Sequence, residues 1–64
     1  MKKSFFDHWA QGTWIEFASV TNWKGSRVRW EVNLSGEHRV LVADTIFYSG
    51  HSFDNAYETW ENNR

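Results

Sequence analysis

Apolar and polar residues alternate most regularly in the middle of the chain, and this pattern predicts a β-hairpin. Polar residues of the segment 27–33 alternate with Val28, Trp30 and Val32, as in a strand with one buried face. The alternation resumes after a three-residue loop, Leu34-Ser35-Gly36. Gly36 occupies the position where such loops require a positive φ angle. The two strands are therefore expected to be antiparallel neighbours.

A three-residue loop also fixes which residues of the two strands face each other. On the face that the apolar residues share, the expected pairs are Val32 with His38, Trp30 with Val40 and Val28 with Val42. Asn33 is expected opposite Glu37, and Glu31 opposite Arg39 on the outer face, where the two charges attract. A shift of one residue would place Arg39 among the apolar side chains, so the pattern favours a loop with an odd number of residues.

The end of the chain has the period of an amphipathic helix. An apolar stripe is formed by Phe53, Ala56, Tyr57 and Trp60, which follow at i, i+3, i+4 and i+7. Ser52 is a good N-cap for this helix. Because the stripe needs an apolar partner, we expect the helix to pack on the sheet.

The remaining segments carry weaker patterns. Ser4 can cap a short helix or a single turn that holds Phe5, Phe6 and Trp9 at helical spacing and ends before Gly12. The segment 13–20 is rich in β-forming residues and predicts a first strand of open register, followed by a turn at 22–26 with Gly25 at positive φ. The second strand of the hairpin is expected to run on past position 44 towards Tyr48.

Together these elements predict an α+β fold in a single small domain, residues 1–64. It consists of a short N-terminal helix or turn, a three-stranded antiparallel sheet and a C-terminal helix packed on one face of the sheet. The predicted core comprises Val28, Trp30, Val32, Val40, Phe53, Tyr57 and Trp60.

The composition shows what must stabilise so short a chain. The 64 residues include five Trp, five Phe and two Tyr, but no Cys and no Pro. A domain of this size buries only about 60% of its unfolded surface. Since disulfides are excluded, we expect aromatic packing to stabilise the core, with self-association or a partner adding to it. The absence of Cys also agrees with a cytoplasmic protein, and Asp7 interrupts the only stretch that resembles the start of a signal peptide.

Charge is distributed unevenly along the chain although the formal net charge is only −1. Residues 24–40 hold four basic and two acidic side chains, whereas residues 41–64 hold one basic and four acidic ones. The low net charge argues against a general polyanion binder, because affinity for phosphate comes mainly from clustered Lys and Arg.

Catalytic and metal-binding patterns are not indicated. The three histidines are scattered, and a zinc site without Cys would need all of them together with a carboxylate. The Ser49-Gly50-His51 run is better explained as a turn followed by a helix cap than as a nucleophile and its base. Glu16 and Glu31 are expected to face solvent, and no glycine-rich phosphate loop occurs. The sequence therefore predicts a protein that is not an enzyme and has no cofactor or metal.

Nucleic acid is an alternative ligand. Basic side chains interleaved with an aromatic residue are the ingredients of a stacking surface for single strands, and such a cluster surrounds Trp23. The order of the elements resembles that of the double-stranded-RNA-binding domain. However, the last helix of that family opens with Lys-rich phosphate contacts, whereas this one opens with Phe53-Asp54-Asn55. The resemblance is therefore one of topology only and does not imply RNA binding.

A protein partner is the favoured expectation. Trp, Tyr and Arg are the preferred anchors of interfaces, and Trp14 and Trp23 lie outside the apolar stripes. The predicted partner-binding residues are Trp14, Trp23, Lys24, Arg27, Arg29 and Arg39. Trp23 either anchors a partner or folds back to cap the core. In size and composition the chain resembles the small host-takeover proteins of phages, such as anti-CRISPR proteins and polymerase inhibitors. That resemblance implies an inhibitor that occupies a partner's surface, and a homodimer is a further expectation.

Overall fold

A computed structural model describes residues 13–64, which form a four-stranded antiparallel sheet with one helix on one of its faces. The strands are β1 (Ile15–Thr21), β2 (Arg27–Val32), β3 (His38–Val42) and β4 (Thr45–Gly50), and they lie side by side in chain order. The helix, α1, spans Phe53–Asn63. The α+β class, the antiparallel sheet and the C-terminal helix are confirmed. The helix or turn predicted before Gly12 lies outside the described residues.

The prediction of three strands is wrong, because the chain reverses where the third strand was expected to continue. Ala43 and Asp44 have φ angles of 50° and 69°. Positive φ at both central residues is what a two-residue type I′ turn requires. The chain returns as β4, with Thr45 opposite Val42. Ala-Asp lacks the Asn-Gly or Asp-Gly signature of such turns, so the sequence pattern gave no signal for it.

The register predicted for the central hairpin is confirmed. Val28 pairs with Val42, Trp30 with Val40, Glu31 with Arg39 and Val32 with His38. Gly36 has a φ angle of 85°, as the three-residue loop demands. The N–H of Asn33 donates to the carbonyl oxygen of Glu37 at 3.1 Å and closes the loop.

Trp30 lies at the centre of the core between the sheet and α1. It is 3% exposed and packs with the fully buried Val28, Val40 and Ala56. Its indole Nε1–H donates to Nδ1 of His38 at 3.1 Å, which satisfies the only polar atom of the ring.

Two of the predicted core residues lie at the surface of this core instead of inside it. Phe53 and Tyr57 are about half exposed, although both rings contact Trp30. Val32 and Trp60 are partly buried against the core, in keeping with the expectation. Helix α1 packs on β2, β3 and β4 but not on β1. The sheet therefore covers only part of the apolar stripe of the helix. The helix is capped by Ser52, as predicted: its side chain accepts the N–H of Asn55.

Helix α1 is too short and too polar to cross a membrane, and it is the only α-helix among residues 13–64.

Candidate partner-binding site

The turn between β1 and β2, which we call the Trp23 turn (residues 22–26), is held by the side chain of its first residue. The Oδ1 atom of Asn22 accepts the N–H groups of Lys24 and Ser26, both at 2.9 Å. The Asn22 carbonyl accepts the N–H of Gly25, also at 2.9 Å. Gly25 has a φ angle of 84°, so its positive φ is confirmed. The backbone under Trp23 is therefore fixed by hydrogen bonds in which the Trp23 side chain takes no part.

The same asparagine also ties the turn to the end of the helix. Its Nδ2 group donates to the carbonyl oxygen of Asn63 at 2.9 Å. The last carbonyls of a helix have no partner within the helix, and this bond satisfies one of them. The Trp23 turn is thus anchored both to its own strands and to α1.

Trp23 itself projects into solvent from this fixed turn. It is 82% exposed, the largest exposure among the exposed large apolar residues between 13 and 64. The Nζ atom of Lys24 lies over its ring, 5.0 Å from the centroid. A shallow cavity of about 220 Å³ opens beside the ring, and its other walls are formed by Val42 and Phe47 of the sheet and by Asn62 and Asn63 of α1.

The turn between β2 and β3, the Leu34 turn (residues 33–37), has the same hydrogen bonds to the carboxamide oxygen and the backbone of its first residue as the Trp23 turn. Here Oδ1 of Asn33 accepts the N–H groups of Ser35 and Glu37, both at 3.0 Å, and Gly36 again has positive φ. Leu34 stands where the first turn has Trp23. A tryptophan is therefore not required by the geometry of this turn.

The outer face of the sheet, opposite α1, carries a network of ion pairs. Oε1 of Glu31 accepts Nε of Arg39 at 2.6 Å, and its Oε2 accepts Nη1 of Arg29 at 3.3 Å. Arg29 also reaches Asp44 at 2.9 Å. Glu31 is only 8% exposed, so the expectation that it faces solvent is wrong. The reason is that β2 and β3 are central strands, and the long arginine side chains cover the carboxylate between them.

Trp14 and Arg27 complete this outer face. The guanidinium of Arg39 stacks on Trp14, with 4.2 Å between Cζ and the ring centroid, and Trp14 is half-buried. Arg27 lies 3.9 Å from Glu16 and donates to Oγ of Ser19 at 3.3 Å. Each of the three arginines on this face thus has a carboxylate within 4 Å.

The six predicted site residues fall into two separate groups. Trp23 and Lys24 line the cavity on the helix side, whereas the other four, Trp14, Arg27, Arg29 and Arg39, belong to the outer face. Phe47 joins the first group and was missed by the sequence analysis. It is an extra residue in β4, where the pairing with β3 shifts between Val40 and Leu41. Its position depends on a strand that the pattern did not reveal.

Groups that could carry chemistry are not gathered at either surface. Within residues 13–64, no three His, Asp or Glu side chains come together as they would to hold a metal ion. Among residues 13–64, shifted pKa values belong to one exposed cluster at the end of α1: a hydrogen bond from the Arg64 guanidinium lowers the pKa of Glu61, and the neighbouring Glu61 carboxylate raises the pKa of Tyr57. These shifts arise from neighbouring helical turns and not from a cleft.

Comparison with known proteins found no family model, no curated protein and no solved structure that matches this chain. The interpretation of the site therefore depends on its own geometry.

Proposed function

We propose that this chain is a non-enzymatic protein-binding module of the cytoplasm, in which Trp23 is the anchor of the interface. The observation that carries the proposal is the 82% exposure of Trp23 on a turn that Asn22 holds in place. The Leu34 turn has the same backbone bonds without a tryptophan, so folding of the turn does not account for this residue.

A rigid turn makes an exposed tryptophan an effective anchor. Binding costs free energy when side chains and loops become ordered, and that cost is smaller for a segment that is already fixed. Tryptophan and arginine dominate the residues that contribute most to interfaces. Phe47, half-exposed on the far wall of the cavity, extends the apolar contact that a partner would make with Trp23.

The class of partner-binding protein that we propose is a small phage-type inhibitor, of the anti-CRISPR or host-takeover kind, which acts by occupying a partner's surface. The support is the small size, the high content of aromatic residues and a candidate anchor that is separate from the core. A homodimer that uses the same surface is a second form of the proposal.

The alternative, binding of nucleic acid through the outer face, is less well supported by the arrangement of charges. Arg27, Arg29 and Arg39 would have to release the carboxylates of Glu16, Glu31 and Asp44 before they could bind phosphate. Trp23, the aromatic residue that would stack with bases, lies with Lys24 on the helix side and not with these three arginines. For these reasons we favour a protein partner.

The two proposals predict different effects of salt and nuclease on binding. Wild-type protein and the Arg27→Ala and Arg29→Ala variants are used as baits in host lysate, with and without nuclease, at low and high salt. We expect a host protein to be retained after nuclease treatment, with little loss at high salt and little effect of either substitution. Recovery of nucleic acid alone, lost steeply with salt and in both variants, would favour the alternative.

A further inference from the structure

The basic side chains of residues 13–64 differ in whether they have an acidic partner. Arg27, Arg29, Arg39 and Arg64 each have a carboxylate oxygen within 4 Å. Lys24 is the remaining basic residue of this part of the chain, and no carboxylate of residues 13–64 lies within that distance of it. An ammonium group without an acidic partner in the described chain therefore stands over the exposed ring of Trp23.

The cavity beside Trp23 adds an apolar recess to this positive charge. Trp23 and Phe47 are 82% and 53% exposed, so both rings offer apolar surface to whatever enters. None of the residues that line the cavity is acidic, and Lys24 is the only basic one. The remaining lining residues are polar and uncharged apart from one valine: Asn22, Ser26, Val42, Asn62 and Asn63. The site thus combines one recess with one positive charge.

The size of the cavity suits a single side chain of a partner. Its volume of about 220 Å³ lies below the roughly 300–1,000 Å³ of most small-molecule pockets and corresponds to about seven water molecules. The backbone N–H of Lys24 donates to Oδ1 of Asn22, so the lysine side chain starts from a fixed point at the rim. A group that lies next to the inserted side chain in the partner's sequence would meet this ammonium.

We infer that the site binds an acidic protein segment, in which one large apolar side chain enters the cavity between Trp23 and Phe47 and a neighbouring Asp or Glu pairs with Lys24. The inference rests on the proposed function and adds to it the chemistry of the partner. The support is charge complementarity: the described residues supply the cation, the partner supplies the carboxylate, and the apolar contact lies directly beside the ion pair.

A single unpaired charge favours a carboxylate over a nucleic acid. Affinity for nucleic acid comes from several phosphates that Lys and Arg neutralise together, whereas Lys24 is the only basic residue that lines this cavity. One exposed ion pair contributes modestly to binding and is weakened by salt only to that extent. The small effect of salt expected for the proposed interface is therefore compatible with this pair.

Three capped pentapeptides of the form Gly-X-Phe-X-Gly, in which X is glutamate, glutamine or lysine, probe this chemistry. Each is titrated into the full chain, and binding is followed by NMR at the indole N–H of Trp23, which is assigned by its loss in Trp23→Ala. We expect the glutamate peptide to bind with a dissociation constant roughly two- to fivefold lower than that of the glutamine peptide, as typical of one exposed ion pair. The lysine peptide should bind most weakly.

Substitutions of Lys24 identify the source of this preference. Lys24→Met keeps an apolar side chain without the charge, so it should bind the glutamine peptide like the wild type and no longer prefer glutamate. Lys24→Arg should keep the preference. Arg27→Met is the matched control, because it removes an equal charge from the outer face and should leave the preference unchanged. Since Lys24 is exposed and only its backbone N–H holds the turn, both Lys24 variants should fold.

Equal binding of the three peptides, or a preference for glutamate that persists in Lys24→Met, would overturn the inference and leave Trp23 as an anchor. The absence of any shift at Trp23 would also overturn it; the proposed function is then decided separately by whether Trp23→Ala loses a host protein that the wild type retains. Tighter and strongly salt-dependent binding of hexathymidylate in the same titration would assign the site to nucleic acid instead. A Trp23 resonance that moves only with protein concentration would assign it to a second copy of the chain.

Discussion

At the scale of single residues, two tryptophans of the same chain have opposite environments. Trp30 is 3% exposed and its indole N–H is satisfied by His38, whereas Trp23 is 82% exposed above a turn held by Asn22. The sequence predicted the first from its place on an alternating strand. For Trp23 the sequence did not distinguish an anchor of an interface from a residue that folds back to cap the core. The hydrophobic pattern does not show which way a turn residue points.

Trp30→Ala is expected to destabilise the domain by about 3–5 kcal/mol, as typical for an aromatic residue removed from a core. The loss would also leave His38 without its donor. Because a domain of this size has little stability to spare, we expect the variant to be unfolded at room temperature. Circular dichroism and urea unfolding test this, and a cooperative transition near that of the wild type would contradict the assignment of the core.

The exposed Tyr57–Glu61–Arg64 group on α1 gives a prediction for pH. A hydrogen bond from Arg64 lowers the pKa of Glu61, and the neighbouring Glu61 carboxylate raises the pKa of Tyr57. A carboxyl group with a depressed pKa stabilises the fold above its unfolded pKa, and this contribution is lost as the pH falls through the folded pKa. Since the group is exposed, we expect the effect to be small and to weaken in salt.

Glu61→Gln should bring the pKa of Tyr57 back towards its ordinary value, because the charged acceptor is removed. Titration of the Tyr57 ring by NMR measures this shift. Glu58→Gln, on the same helix, is the matched control and should leave Tyr57 unchanged. An unaltered Tyr57 titration in Glu61→Gln would contradict the assigned effect of the Glu61 carboxylate on Tyr57.

At the scale of elements, the sequence predicted those whose turns carry recognisable chemistry. Gly36 identified the loop of the central hairpin, and Ser52 identified the start of the helix. The β3–β4 hairpin was missed because Ala43 and Asp44 adopt positive φ without being Gly or Asn. Its bulge, and with it the position of Phe47, could not be inferred once β4 was taken as a continuation of β3.

Substitutions in the β3–β4 turn and in the Leu34 turn should change the free energy of unfolding in opposite directions. Ala43→Gly is expected to stabilise by about 0.5–1 kcal/mol, because glycine relieves the left-handed strain at φ 50° and loses part of that gain to its greater unfolded-state entropy. Gly36→Ala is expected to destabilise by about 1 kcal/mol. An added Cβ at Gly36 would meet no atom within 4 Å, so its effect is conformational alone.

Urea unfolding of both variants measures these changes. Ala43→Asn serves as a second test of the β3–β4 turn, since Asn accepts positive φ without the entropy of glycine. A loss of stability in both Ala43 variants, or no loss in Gly36→Ala, would contradict the account of the turns.

At the scale of the whole molecule, the sheet separates the features that the sequence had grouped into one basic and aromatic site. The alternation of β2 correctly placed Arg27 and Arg29 on the outer face, but the pairing of Glu31 with two arginines at once depends on which strands are central. The contact of the Trp23 turn with the end of α1 is non-local: Asn22 bonds to Asn63, forty-one positions away. Periodicity alone carries no information about such a contact.

The central claim, that Trp23 anchors a partner and is not part of the core, is tested most directly by measuring thermal stability and partner retention in Trp23→Ala. Leu34→Ala is the matched control, because the same turn geometry presents an exposed leucine there. We predict that both variants melt within a few degrees of the wild type and that only Trp23→Ala loses the retained host protein. A Trp23→Ala variant that melts far below Leu34→Ala, or one that still retains the partner, would contradict the account.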